Sequence, residues 1–212
     1  LRTVLINEAL EITLSRERLE KYLDETGQDL DAAIELYEKN TRLSEAFYTP
    51  LQCVEICLRN QLNRQMANTY GELWYQNGNP PLNEDSVRMI FEAIEELKKE
   101  HRVTPGRVVA ELKFAFWVGL LGPKYDATLW RKSLYRGFPA SGGRTRRVIH
   151  GRFNAIRRFR NRIAHHEPIF HLAPIMRHQE IIEAISWMCR NTSAWALHHS
   201  RLLLIAAAVG DE

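Results

Sequence analysis

Between Ala127 and His166 this chain has no Asp or Glu at all, yet it carries eleven Lys and Arg residues there. A segment without carboxylates cannot neutralise itself locally, so it favours a polyanion as partner, the plainer alternative being a solvated arginine face. The net charge of +3 hides this asymmetry. Residues 1–126 hold 15 basic and 21 acidic groups, and residues 167–212 hold three and five.

Cysteine is equally sparse. Cys53, Cys57 and Cys189 are an odd count without the paired spacing of a zinc site or a disulfide framework. They read as free thiols in a reducing cytoplasm. The apolar run Leu202 to Val209 falls far short of the roughly 20 residues that span a bilayer, so it reads as a core helix ending at Gly210. No secretory leader pattern is visible at the start. The expectation is a soluble cytoplasmic protein with no membrane contact.

Also missing are runs of alternating β-branched residues, internal repeats and low-complexity linkers, which removes a sheet and a multidomain array from consideration. With 45% hydrophobic and 26% charged residues, the 212-residue chain reads as one all-α domain over 1–212. Ser15 caps a first helix ending near Gly27, and Asp29 caps a second, with Leu30, Ile34 and Tyr37 on one stripe and Leu36, Leu43 and Phe47 on another. Thr49-Pro50 begins or bends a third, whose stripe is Leu51, Val54, Leu58 and Leu62.

Gly71 to Pro81 is a loop. Asn83 caps a fourth helix through Ile90, Ile94 and Leu97, acidic early and basic late as the helix dipole prefers. Thr104-Pro105 starts a fifth, and Val108 to Leu121, apolar almost all round, predicts one central core helix stopped by Gly122-Pro123. A short helix around Asp126 to Tyr135 and a loop from Gly137 to Gly143 lead to a basic helix from about Arg144 to His165. Two more are expected, one through Ile175, Ile182, Ile185 and Cys189, the other through Trp195, Leu202 and Ile205.

The segment Arg160-Asn161-Arg162-Ile163-Ala164-His165-His166-Glu167-Pro168 closes the basic helix. Histidine titrates nearest neutrality and a guanidinium can hold a phosphate, so the set has the parts for cleaving a phosphodiester without a metal. The core stripe of this helix reads Ile149, Phe153, Ile156 and Ile163, and Arg160 falls within about 40° of it, so it is expected to point inward towards a carboxylate, a helix end or a phosphate cleft. Asn161 and His165 share one face, where the amide could fix the imidazole tautomer. Pro168 disfavours helical geometry at Glu167 and sets the helix end near His165 or His166.

A helix C-terminus attracts cations, and a protonated imidazole is what a general acid needs. Arg160 and His165 lie about 140° apart on an ideal helix, which points to a second copy of the chain completing the site. Arg152, Arg157, Arg158 and Arg162 are candidate phosphate contacts. Glu55 and Arg59, one turn apart, could form a local ion pair. The structural alternative for the whole set is a capping and hydrogen-bonding cluster.

These residues resemble the HEPN superfamily, whose signature is an arginine, a following polar residue and a histidine four to six positions on. Arg160-Asn161-x-x-x-His165 fits it. More narrowly, the chain is similar to the Abi-like branch associated with bacterial abortive infection, through Leu43-Ser44-Glu45-Ala46-Phe47-Tyr48, Glu55-x3-Arg59-Asn60, Glu111 to Val118, Leu129-Trp130, Phe138-Pro139 and Arg160 to Pro168 in that order.

The resemblance implies a HEPN-type helical bundle with flanking helices, a homodimer, and a metal-independent endoribonuclease leaving a 2′,3′-cyclic phosphate and a 5′-hydroxyl, in antiphage defence or as a toxin. It assigns catalysis to Arg160, Asn161 and His165, with Glu55, Arg59, Asn60 and His166 in support. It implies RNA as partner and no cofactor. Members paired with nucleotidyltransferase antitoxins usually carry a tyrosine two positions after the histidine, where this chain has Glu167, so adenylylation there is not expected.

The rival reading is a catalytically silent RNA-binding or partner-sensing module, in which salt-sensitive binding survives His165→Ala and there is no cleavage to lose. A metalloenzyme is a poorer third, since no H-E-x-x-H spacing exists and His165, His166 and Glu167 diverge from a helix end.

Overall fold

The structure, a computed structural model, describes residues 3–76 and 78–210. Its α-helices are α1 (Val4–Leu14), α2 (Arg16–Glu25), α3 (Leu30–Ala46), α4 (Tyr48–Tyr70), α5 (Glu84–Lys99) and α6 (Pro105–Glu111). Then come α7 (Phe114–Leu120), α8 (Arg146–Ala164), α9 (Pro174–Met188), α10 (Arg190–His199) and α11 (Leu202–Gly210). Among the described residues there is no strand, so the fold is all-α. Leu1, Arg2 and the last two residues, Asp211 and Glu212, lie outside the described residues, as does Asn77 of the 71–81 loop.

The chain divides into two compact units, and the division falls within α8, after Arg160. The first takes in α1, α2, α3, residues 161–178 and α11. Its helix starts are those expected from short polar caps. The Ser15 hydroxyl accepts from Arg18 N–H and the Asp29 carboxylate from Ala32 N–H, each satisfying a donor that the first turn leaves orphaned.

The core of this unit is Leu19, Tyr22, Leu23, Ala33 and Ile34. The Tyr22 ring meets Tyr37 edge-on at 5.3 Å and Phe170 at 5.4 Å, offset geometries that suit the ring quadrupoles. Buried Asn40 accepts from the backbone N–H groups of Ile169 (2.7 Å) and Phe170 (3.2 Å), so α3 takes hold of the chain shortly after α8 ends. α1 has no sequence-based counterpart. It is capped by Thr3 and buries Asn7 while exposing Val4, Leu5 and Ile12, and only Leu10 and Leu14 pack in part against the core.

The second unit runs from Thr49 to Arg160 and from Gln179 to His199. Pro50 stands in the first turn of α4, where it starts the helix, and the stripe Leu51, Val54, Leu58 and Leu62 is buried as its spacing predicts. α5 begins at its expected cap, with the Asn83 amide oxygen accepting from Ser86 N–H.

The predicted single helix from Val108 to Leu121 is two. Leu112 and Lys113 are extended (ψ 118° and 155°), which separates α6 from α7. The break sends Phe116 and Trp117 against Trp74, with ring centroids 6.2 and 6.1 Å from it. The Trp117 indole N–H donates to the Leu112 carbonyl (3.1 Å), supplying the partner that the interrupted helix withholds. The short helix expected after Asp126 is a five-residue π turn, Asp126–Trp130, closed by Arg131 N–H on Asp126 C=O at 3.1 Å. The last predicted helix also divides: Ser200 and Arg201 leave helical geometry, and the Ser200 hydroxyl accepts from Leu202 N–H, favouring a fresh start over continuation.

Candidate functional site

α8 is capped by the Thr145 hydroxyl, which accepts from Val148 N–H, and Ile149, Phe153, Ile156 and Phe159 are its buried face. Phe159 takes the last buried position of the stripe, while Ile163 is half-buried. The helix stops as Pro168 requires. His166 adopts the left-handed conformation (φ 57°), Glu167 N–H donates back to Arg162 C=O (2.8 Å), and His166 N–H to Ile163 C=O (3.0 Å). These two bonds are the Schellman arrangement that satisfies terminal carbonyls.

The carbonyls one step further out are taken by an arginine from α2. Arg18 Nη1 donates to the carbonyl oxygens of His165 (3.4 Å) and His166 (3.0 Å). Arg162 pairs with Glu167 at 3.1 Å across the cap. Every feature of this helix end binds backbone or carboxylate, and the imidazoles of His165 and His166 are left exposed. Beside it is an open groove of about 610 Å³, lined in part by Ser15, Arg18, Lys21, Arg162, Glu167 and Pro168.

Arg160 is less inward than its angular position predicts, with 41% of the side chain exposed. It does face a carboxylate: Nε lies 3.6 Å from Glu55 Oε2. Pairs so exposed are worth at most about 1 kcal/mol, so this contact orients the guanidinium more than it stabilises the fold. The local Glu55–Arg59 pair is replaced, since Glu55 turns to Arg160 while Arg59 Nε donates to Asn60 Oδ1 (3.2 Å). Asn60 thus holds Arg59, not Arg160 or His165. Asn161 meets His165 through backbone, His165 N–H donating to Asn161 C=O at 2.9 Å, rather than through an amide–imidazole bond.

The candidate phosphate contacts separate by environment. Arg152 donates to Glu180 C=O (3.1 Å) and Glu183 (2.8 Å) and lies 5.3 Å over the Trp187 ring. Arg157 makes two bonds to Asn154 Oδ1, and Arg158 projects into solvent. Further back, Arg146 pairs with Asp126 at 3.1 Å and donates to Leu121 C=O, and Arg144 pairs with Glu183 at 2.8 Å. The acid-free segment therefore meets its carboxylates in space, from Glu55, Asp126 and Glu183. His150, on the same helix, is held below the usual histidine range by burial and by Arg146 and Arg157.

Sequence reasoning missed Arg18, which stands 147 residues from His165 and has no local signal. The Arg162–Glu167 pair is the one bond at this end that spacing across a helix stop could have suggested. None of the described helices is long and apolar enough to cross a membrane. Neither a curated protein nor a solved structure matches the chain. The family model described as Abi-like protein matches residues 8–171, a span that takes in Glu55 and runs through the whole end of α8 to Phe170 and His171. The chain belongs to the Abi-like protein family.

Proposed function

We propose that this protein is a metal-independent endoribonuclease of the HEPN type, acting in abortive infection or as a toxin. The observation that carries the reading is the end of α8: its backbone carbonyls are already engaged by Arg18 and the Schellman bonds, while the His165 imidazole stays exposed. Arg160, oriented by Glu55, and Asn161 precede it on the same helix.

In this reading two copies of the chain meet along α8 and present two His165 imidazoles to one RNA strand. One imidazole takes the proton of the 2′-hydroxyl as its oxygen attacks phosphorus. The other protonates the departing 5′-oxygen, leaving a 2′,3′-cyclic phosphate and a 5′-hydroxyl. Arg160 holds the non-bridging phosphate oxygens, for which a planar guanidinium is better shaped than an ammonium. Asn161 positions the scissile group, and Arg158 supplies charge along the strand.

Purified protein is incubated with total RNA in EDTA beside Arg160→Ala and His165→Ala. The expected outcome is cleavage by the wild type and a loss of about 10²–10⁴-fold in both variants, with helical content unchanged. Salt-sensitive binding by the wild type without any cleavage would replace the enzyme with a silent RNA-binding module. Cleavage that EDTA abolishes would remove the metal-independent mechanism.

A further inference from the structure

The second unit holds a feature that the chemistry of α8 leaves unused. All three cysteines line one open cavity of about 580 Å³, together with Asn60, Arg64 and Trp195 among others. Cys53 and Cys57 stand one turn apart on α4, and Cys189 occupies the position just before α10. The two segments touch beside the thiols: Gln61, one turn on from Cys57, donates to the carbonyl of Met188, the neighbour of Cys189 (3.4 Å). Cys53 is buried, whereas Cys57 and Cys189 are half-buried and open to the cavity. Among the described residues no group of three His, Cys, Asp or Glu side chains is gathered closely enough to hold a metal ion, so the cluster is read for covalent chemistry.

The environments of the two accessible thiols differ. Cys189 is the N-cap of α10, its carbonyl accepting from Ser193 N–H at 3.1 Å. Its thiol is drawn below the usual cysteine range by the Thr192 hydroxyl and then the Thr192 backbone N–H, with Arg64 adding to the effect. Cys57 is pushed up to about 11, first by burial and then by the neighbouring Cys189 and Cys53. One thiol is therefore disposed to attack as thiolate and the other to remain protonated beside it.

We propose that Cys189 and Cys57 form a peroxide-sensitive pair, in which a small hydroperoxide entering this cavity oxidises Cys189 and Cys57 captures the product as an intrachain disulfide. The Cys189 sulfur forms a bond to one peroxide oxygen as the O–O bond breaks, giving up two electrons. With hydrogen peroxide the second oxygen leaves as hydroxide, which takes up the proton that the Cys189 thiol released on ionising and becomes water, and Cys189 becomes a sulfenic acid. The Cys57 sulfur then bonds to the Cys189 sulfur, the S–O bond breaks, and the departing hydroxyl leaves as water with the Cys57 proton.

The reduced protein is treated with hydrogen peroxide, quenched by alkylation and mapped by mass spectrometry, with dimedone as the sulfenic acid probe. The wild type is expected to lose two of its three free thiols and to yield a Cys57–Cys189 crosslinked peptide within one chain. Cys57→Ser, unable to form that bond, should carry dimedone on Cys189. Retention of all three thiols, a disulfide joining Cys53 to Cys57 or linking two chains, or dimedone on Cys57 or Cys53 in place of Cys189 would overturn the assignment. If Cys57→Ser does not fold, the wild-type map decides alone: the crosslinked peptide supports the pair and its absence ends it.

Discussion

The two ends of α8 use the same residue types for opposite purposes. Towards its start, Arg146 and Arg152 reach across to Asp126, Leu121 C=O, Glu180 C=O and Glu183, and Arg152 lies over Trp187. These cations are bound into the fold. At the finish the roles reverse: an arginine arrives from α2 to satisfy the helix end, and the side chains just past it, His165 and His166, face solvent. A basic run in sequence is thus part scaffold and part display, and it is the position of carboxylates elsewhere that sorts one from the other.

Four measurements test this contrast. Arg152→Ala removes a charge-assisted bond to Glu183, a part-buried bond to the Glu180 carbonyl and a cation–π contact, and is expected to cost about 1–3 kcal/mol in denaturant unfolding. Any RNA cleavage by the fraction that folds should be unchanged. A loss of stability below about 0.5 kcal/mol would mean that the upstream end is display as well.

Arg18→Ala should cost about 0.5–1.5 kcal/mol, because two terminal carbonyls lose their donor and only water can replace it. Unlike Arg152→Ala, it should also lower cleavage, and Arg18→Lys should restore part of both.

Acid provides a subtler separation. His150, His171 and His178 are all held below the usual value of 6.5, in each case chiefly by burial, with Arg146 and Arg157 adding to the effect at His150 and Lys21 and Arg162 at His171. The unfolded chain therefore binds protons before the folded one as pH falls below about 6.5. Their contribution to stability is present above that value and declines as pH drops through the lowered folded values. Denaturation midpoints between pH 8 and 5 should fall, and His150→Gln should flatten the slope. Smallest of all, Arg158→Ala should leave stability within about 0.5 kcal/mol and reduce the salt dependence of RNA binding by about one phosphate contact.

What the sequence makes legible is what is local. Ser15, Asp29 and Asn83 cap the helices their spacing promises because an N-cap bond needs nothing beyond three residues. The α4 stripe and Ile149, Phe153 and Ile156 of the α8 stripe are buried because period alone places them on one face, while Ile163 at its end is half-buried. The break at Leu112 is invisible because an apolar run suits one long helix as well as two short ones, and Trp74, which decides the matter, lies far upstream. α1 escapes detection for the opposite reason: most of its apolar residues are exposed, Leu10 and Leu14 pack only in part against the core, and its buried residue is Asn7, whose amide donates to Asp31 at 2.5 Å.

At the candidate site, the helix stop is readable from Pro168, whereas spacing nominates Arg160, Asn161 and His165 only as candidates. Glu55, expected as a support, lies beside Arg160. The bracing by Arg18 was not readable, since nothing local marks a side chain destined for a carbonyl 147 residues away. The engagement of Arg146 and Arg152 was likewise hidden, because acid-free in sequence does not mean acid-free in space.

The hold of Asn40 on Ile169 and Phe170 has a mechanical consequence. The short stretch bearing both exposed imidazoles is tethered at its far end to α3 and at its near end by the guanidinium from α2. How steadily those rings are aimed is then governed by the packing around Tyr22 more than by the stiffness of the helix that carries them. Warming that softens this small core should blur their aim while the long basic helix is still intact.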